Sequence, residues 1–529
     1  MRLNVRGHSW VGICARCVVS LVLIALLPCV GSKPSEATPR LSWGTSVGCD
    51  ESSRQSLTSA TLSLAAHETW SARFRRNDHG ASRALQNLYA STSRPLWLMH
   101  GGPTPQALAM LQVLQGADAY GLQPADYDAV RLSTLAAAMV GSSRAGIGRT
   151  LYRAREAACG GPGEAQFDLD LSAAAMALVS DLHYGRIDPR AAGFELGAPR
   201  PDDLDLANAV RMLAMADDVA HALAHFEPQF EHYRLLGQAL AHYRKLAAAD
   251  PQDAVLAARV RKIALTLERW RWLPAFQTPP IIVNIPEFRL FAFRQTADRA
   301  ADILQMDVIV GRTFPRTRTP VFAADMKSVI FRPYWDVPRS ITLREMLPKI
   351  QADSGYLASQ HLEIVSVGPA AAVLPATPAT IAALAAGTAR LRQQPGPDNA
   401  LGLIKFDLPN FHDVYLHSTP AQQLFLRSRR AFSHGCIRVS DPVALAADVL
   451  RDTSGDWTPA KIEGAMHGPE TRRVALAKPI RVMILYGTVL AKEDGEVLFF
   501  DDLYGQDLRL ERLLGLAPVK GAAPALTAK

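Results

Sequence analysis

A cysteine, two histidines, a glycine and an arginine fall within one short stretch, and together they are the parts of an acyl-transfer site. Cys436 lies in Ser433-His434-Gly435-Cys436-Ile437-Arg438, and His417 lies upstream in Tyr415-Leu416-His417-Ser418-Thr419-Pro420. A free cysteine thiol, which ordinarily titrates at about 8.5, is only a few per cent thiolate near neutrality. A neighbouring imidazole can take its proton, leaving a thiolate–imidazolium pair as the reactive species. His417 closes a predicted strand and is placed to face Cys436 across a sheet. Gly435 permits a strained turn and a close backbone approach, and in that turn the amides of Gly435 and Cys436 can converge on a developing oxyanion. Arg438 returns to the same strand face as Cys436, where a guanidinium can hold a carboxylate in bidentate fashion, or else it pairs with Asp441. Zinc is the rival chemistry for Cys and His, but a fourth strong ligand is missing. His412, at an odd offset along the strand, points to the face opposite His417. No metal and no organic cofactor is expected.

These residues need a sheet to hold them. Ile281-Ile282-Val283-Asn284-Ile285 and Arg289-Leu290-Phe291-Ala292-Phe293 read as strands around a Pro286-Glu287 turn, and Met306 to Val310, Ser328 to Phe331, His412 to Leu416 and Arg481 to Tyr486 are further β-rich runs. Asp441-Pro442 starts a helix through Leu450. A mostly β catalytic domain is therefore expected over residues 279–514. Residues 339–402 inside it, with the Ala/Pro-rich Gly368 to Thr388, read as a weakly patterned insertion of the kind that acts as a lid.

Upstream the apolar period is helical over residues 82–250, with a connecting helix over 251–278. Thr104-Pro105 opens a helix that Tyr120-Gly121 stops, a second runs from Leu171 to Gly185, and others are expected at Leu204 to Ala224 and Gln229 to Ala248. Residues 33–81 are polar and Ser/Thr-rich, a linker, and 515–529 are a tail. The expected fold class is α+β and multidomain: a helical scaffold followed by a β-rich catalytic domain with a lid.

The chain of 529 residues has a formal charge of +7 and no dense Lys/Arg run, which argues against a nucleic-acid partner. Residues 1–32 have the pattern of an export signal, with Arg2 and Arg6 before an apolar run from Cys17 to Val30, either cleaved or kept as a membrane anchor. Without that segment, Cys49, Cys159 and Cys436 remain of six cysteines. Cys49 with Cys159 is the pair to test as a disulfide, which leaves Cys436 as the odd thiol.

His417, fifteen residues, then Ser433-His434-Gly435-Cys436 resembles the signature of the L,D-transpeptidases with a YkuD-type catalytic domain. The likeness extends through Glu268-Arg269-Trp270-Arg271-Trp272-Leu273-Pro274, Val310-Gly311-Arg312, Thr319-Pro320-Val321-Phe322, Pro333-Tyr334-Trp335-Asp336-Val337-Pro338, Asn399-Ala400-Leu401-Gly402 and Lys405-Phe406. Gly185-Arg186-Ile187-Asp188-Pro189 in the helical half is similar to the scaffold of the large Gram-negative branch.

The resemblance implies a periplasmic enzyme acting on peptidoglycan peptide stems, with roles in cell-wall organisation and cell shape. Cys436 would take the acyl group of a stem's third residue and release D-Ala, and the side-chain amine of a second stem would resolve the thioester. The same carry-over makes His417 the general base and acid, oriented by a backbone carbonyl. It has His434 and Gly435 shape the oxyanion site, sets Ser433, Tyr415, Asn399 and Arg438 around the substrate, and makes the thiol a carbapenem target. Water as acceptor would give an L,D-carboxypeptidase, and a lipoprotein amine an attaching or detaching enzyme. A silent wall-binding scaffold has no need of both His417 and Cys436. The sequence departs from the branch in two ways: the stretch between Tyr243 and Glu268 is too short for a peptidoglycan-binding module, and Ser418 stands where an acidic residue is expected.

Overall fold

The computed structural model describes residues 80–517, save 91, 93–94, 100–101, 146–161, 197–203, 275, 277, 294–302, 315–316, 354 and 369–370. The expected export segment, nearly all of the linker, Cys49, Cys159 and the tail beyond 517 lie outside those residues. The chain divides into two compact units, and the division differs from the sequence reading at three places. Residues Phe194–Gly197 join the β-rich unit, which otherwise runs Thr278–Gly487, while the expected connecting helix and everything from Thr488 onward group with the helical unit. The catalytic boundary thus moves from 514 to Gly487. Long-range partners decide this: Ala491 N–H donates to His232 Nε2 at 3.2 Å, and Asp507 pairs with Arg269 at 2.6 Å.

In the helical unit, Thr104 caps the helix Pro105–Gln115 by accepting from the Ala107 amide. A 3-10 turn, Ala117–Tyr120, then carries the chain to Gly121 in the left-handed region. The expected helix over Leu204 to Ala224 is two, Leu206–Met215 and Val219–Leu223, because Asp218 caps a new start by accepting from the His221 amide. The long helix Pro162–Tyr184 ends at Gly185, with φ +82°. A Cβ there would lie 2.7 Å from Trp272 Nε1 and 2.9 Å from Glu268 Oε1, so only glycine fits. The buried Glu268 carboxylate accepts from the Arg186 amide (2.6 Å), the Ile187 amide (3.0 Å) and the Trp272 indole (3.3 Å), and pairs with Arg271 at 3.3 Å. One carboxylate therefore ties together two motifs that are far apart in sequence.

The β-rich unit is built from β1 (Ile281–Asn284), β2 (Arg289–Phe293), β3 (Ile303–Gly311), β4 (Val321–Phe331), β5 (Ile404–Asp407), β6 (Leu416–His417), β7 (Ala431–Ser433), β8 (Ile437–Val439) and β9 (Arg472–Leu485). The pairing runs β5–β6–β8–β3–β2–β1–β9–β4, and β4 pairs back to β5, so the path closes on itself. Closure removes open edges along the ring. Phe194–Glu195 adds a short parallel strand at the start of β4. The strand expected over His412 to Leu416 is shorter and later, since residues before Leu416 form a loop in which Asn410 bonds the Val414 carbonyl.

The insertion is a folded body and begins at Trp335, ahead of the expected Arg339. Trp335–Asp336, Leu362–Ser366, Val373–Leu374 and Ala389–Gln393 form a separate four-stranded sheet. Ile341, Ile350, Ile364, Leu384 and Leu391 pack a core of its own. Its Ala/Pro-rich part gains a helix, Pro378–Ala386, through a capping box between Thr377 and Thr380. Among the described residues, no helix is long and apolar enough to cross a membrane.

Candidate active site

Strand register assembles the site. Lys405 on β5 pairs with His417 on β6, His417 pairs with Arg438 on β8, and Arg438 pairs with Ile309 on β3. Partners directly across a sheet share a face, and residues two apart on one strand share it too. Lys405, His417 and Arg438 therefore form a row, and Tyr415 and Cys436 lie on that face beside it. The Ile437 amide donates to the Tyr415 carbonyl at 3.0 Å, which sets Cys436 across from Tyr415 and diagonal to His417.

Cys436 sits in the turn between β7 and β8. Gly435 has φ +128°, a conformation that side chains rarely adopt. The turn is locked from both sides. The Ser433 hydroxyl donates to the Cys436 carbonyl at 2.5 Å and accepts from the Gly435 amide at 3.1 Å. The Thr319 hydroxyl donates to the Gly435 carbonyl and accepts from the Gly311 amide, both at 2.8 Å. A Cβ on Gly311 would stand 2.0 Å from the Thr317 carbonyl oxygen, so this packing needs glycine there as well.

His417 is buried, and its Nδ1 lies 2.5 Å from the Ser418 carbonyl oxygen, the backbone orienter expected from the family likeness. With Nδ1 protonated for that bond, Nε2 is the ring nitrogen able to accept a proton. The Ser418 hydroxyl accepts from the Leu403 amide at 2.9 Å and donates to the Leu401 carbonyl at 3.2 Å. It braces the approach to β5, a task that needs no acid at this position.

The charge state of the pair differs from the expected thiolate–imidazolium couple. Burial, seconded by the Arg438 charge, lowers His417 to about 3. Burial pushes the Cys436 thiol up, against the Tyr415 hydrogen bonds and the Lys405 charge that favour the thiolate. Both groups are therefore neutral at rest near pH 7, and the proton has to move as the sulfur reacts. The thiol remains partly open to solvent, with one long contact of 3.6 Å to the Asp413 carbonyl.

Three expected site residues are held differently from the sequence reading. Asn399 is only 2% exposed, and its Nδ2 donates to the carbonyls of Pro333 (3.2 Å) and Gln394 (2.9 Å) while Oδ1 accepts from the Leu401 amide (2.8 Å). It clasps the two chain ends of the insertion and has no group left for a ligand. Ser433 is engaged within the turn, as described, so its role is structural. His434 turns to the insertion, with Nε2 2.7 Å from Glu345 Oε1, and the Gly435 amide is already bonded to Ser433. Of the expected oxyanion donors, the Cys436 amide is the one these bonds leave in place.

Tyr415 and Arg438 do border the thiol. Tyr415 lies beside Cys436 and Trp335, and burial, with the Cys436 charge second, raises its pKa. Arg438 is half-buried, its Nε lacks a hydrogen-bond partner among the described residues, and burial lowers its pKa. Asp441 does not pair with it but caps Pro442–Val449 by accepting from the Ala444 amide. His412 lies off the strand, 3.1 Å from Glu195. Sequence reasoning assigned no role to Thr319 or Trp335. Both stood inside quoted motifs, but only the fold brings them to the turn.

Residues 279–462 match the family model of the L,D-transpeptidase catalytic domain. Residues 279–462 are thus similar to an L,D-transpeptidase catalytic domain. Residues 83–240, in the helical unit, match the model of a Scaffold domain. A Haemophilus influenzae protein named "Putative L,D-transpeptidase" is 31% identical over 250 residues, covering 47% of this chain and 49% of that protein. The chain thus spans about half the length of the curated relative it matches.

Proposed function

We propose that this chain is a periplasmic peptidoglycan L,D-transpeptidase that cross-links the third residues of two peptide stems. The reading rests chiefly on one observation: Cys436 and His417 share a face on adjacent strands, with His417 Nδ1 bound to the Ser418 carbonyl. As Cys436 Sγ attacks the carbonyl of the third stem residue, His417 Nε2 takes the thiol proton. The C–N bond to the terminal D-Ala then breaks, that proton goes to the departing amine, and a thioester remains. The side-chain amine of a second stem attacks the thioester, gives a proton back through His417, and restores the thiol. Because both groups are neutral at rest, the proton passes to His417 together with attack by the sulfur rather than before it.

The remaining roles follow from placement. The Cys436 amide faces the developing oxyanion, Arg438 holds a substrate carboxylate with its open donors, and Tyr415 orders the sulfur. The insertion, which brings Trp335 and Glu345 to the turn, acts as the lid. A β-lactam carbonyl of the carbapenem type would be opened by the same sulfur.

Muropeptide analysis of cells relying on this protein, beside cells with Cys436→Ser, tests the reading. Cross-links between third residues should appear only with the intact thiol. Tripeptides without such cross-links would assign water as the acceptor, making the enzyme an L,D-carboxypeptidase, and equal profiles would refute the cysteine mechanism.

A further inference from the structure

Lys405 stands in the active-site row, and the cysteine–histidine chemistry does not use it. Its Nζ lies 4.1 Å from the centroid of the Tyr415 ring, a cation–π contact, and Tyr415 borders the Cys436 sulfur. Register puts Lys405 directly across from His417. Its side chain is only 21% exposed, so protein rather than water fills most of the space between this charge and the sulfur.

The carboxylate beside Lys405 does not cancel its charge. Asp407 Oδ1 is 3.3 Å from Lys405 Nζ, but Asp407 Oδ2 also binds Arg473 at 2.8 Å. The trio of two cations and one anion keeps one net positive charge. A structural ion pair on a strand would need only the Arg473 partner.

We propose that Lys405 is a positioning residue for the acyl-transfer step: its ammonium, seated on the Tyr415 ring and opposite His417, holds Cys436 sulfur as the anion against the Tyr415 hydroxyl. The part it plays in turnover rests on the transpeptidase reading, whereas its effect on the thiol does not. When His417 takes the proton, the sulfur becomes negative in a poorly hydrated place, and a fixed cation nearby offsets the desolvation cost. The Lys405 charge favours the thiolate at Cys436, whereas at His417 it opposes the proton that the imidazole takes, so its benefit lies at the sulfur. Around the sulfur, Asp413 in the loop before β6 opposes this charge, while Arg438 on β8 adds to it, and Arg312 after β3 acts in turn on Arg438. The insertion brings Asp336 near Tyr415 and Glu345 against His434.

The rate of Cys436 alkylation by iodoacetamide on the full chain, followed against pH, reads this directly, with Cys436→Ser reporting reaction at other cysteines. Lys405→Met should move the midpoint up by about one pH unit, about tenfold slower alkylation near neutrality. Lys405→Arg should keep most of the original profile. Asp407→Asn should move the midpoint down, because it removes the anion beside Lys405. An unchanged midpoint in folded Lys405→Met overturns the proposal, and so does a raised KM for a peptide stem with an unchanged thiol profile, which would make Lys405 a substrate contact. If Lys405→Met does not fold, Asp407→Asn decides: a downward move supports the role of Lys405 and no move overturns it. Failure of the wild-type protein to form a meropenem adduct would count against the transpeptidase reading and leave the alkylation result standing.

Discussion

Two polar clusters in this molecule are built on opposite terms. In the helical unit, the Glu268 carboxylate meets two amides, an indole and the Arg271 guanidinium, and Arg271 is itself bonded to the Tyr233 hydroxyl at 3.1 Å. On the face that carries Cys436, Arg438 Nε has no partner among the described residues, and the cationic Lys405 and Arg438 act on the thiol. The first cluster resolves its charges within the protein and so specifies packing. The second leaves donors and charge for a ligand that is anionic, or becomes so as it reacts.

Removing the nucleophile should give the sharpest separation. Cys436→Ala is expected to abolish the covalent adduct with meropenem, seen by intact-mass spectrometry, while shifting unfolding free energy by no more than about 1 kcal/mol. Glu268→Ala should do the reverse. It strands Arg271 and two amides in the interior and should cost about 3–5 kcal/mol in urea unfolding, with the adduct still forming in the folded fraction. A loss below about 1 kcal/mol there would break the contrast between the clusters.

The pH dependence sharpens a point on which the two regions agree. Burial lowers His417 in the catalytic unit and His232 in the helical unit, each to about 3, from the 6.5 of a free imidazole. The unfolded chain therefore binds protons that the folded chain refuses. Their stability contribution is full above about pH 6.5 and declines as pH falls toward 3. His417→Gln and His232→Gln should each flatten the plot of unfolding free energy against pH over that window. An unchanged slope would mean that the histidine charges without unfolding.

Smaller effects probe the turn. Thr319→Val removes the hydroxyl shared by Gly311 and Gly435 and should cost about 1–3 kcal/mol, with slower meropenem acylation. Glu345→Gln touches a pair that is half open to water, so its stability effect should stay below about 1 kcal/mol. A large change in acylation rate from that substitution would show that the His434 contact governs the lid.

Much of the site was legible because its signals are local. Gly435 and Cys436 are neighbours, and His417 ends a short strand whose apolar Leu416 marks the buried side. Thr319 and Trp335 carried no such signal, since a threonine hydroxyl or an indole acquires a task only from what packs against it. Asn399 misled for the same reason: its motif was visible, but not the carbonyls of Pro333 and Gln394 that occupy its amide. The insertion looked unpatterned because strands of two to five residues carry too little periodicity to read.

By itself the sequence determined the chemistry available: one thiol with a turn-forming glycine before it, imidazoles within reach, and a helical half followed by a β-rich half. These follow from residue type and short-range spacing, which act on the chain before it folds. Tertiary structure decided the rest. Strand register put Lys405, His417 and Arg438 in one row, burial made the catalytic pair neutral, and long-range partners returned the segment from Thr488 to the helical unit. Register, burial and docking depend on which distant segments meet, and that information is spread over the whole chain rather than held in any motif.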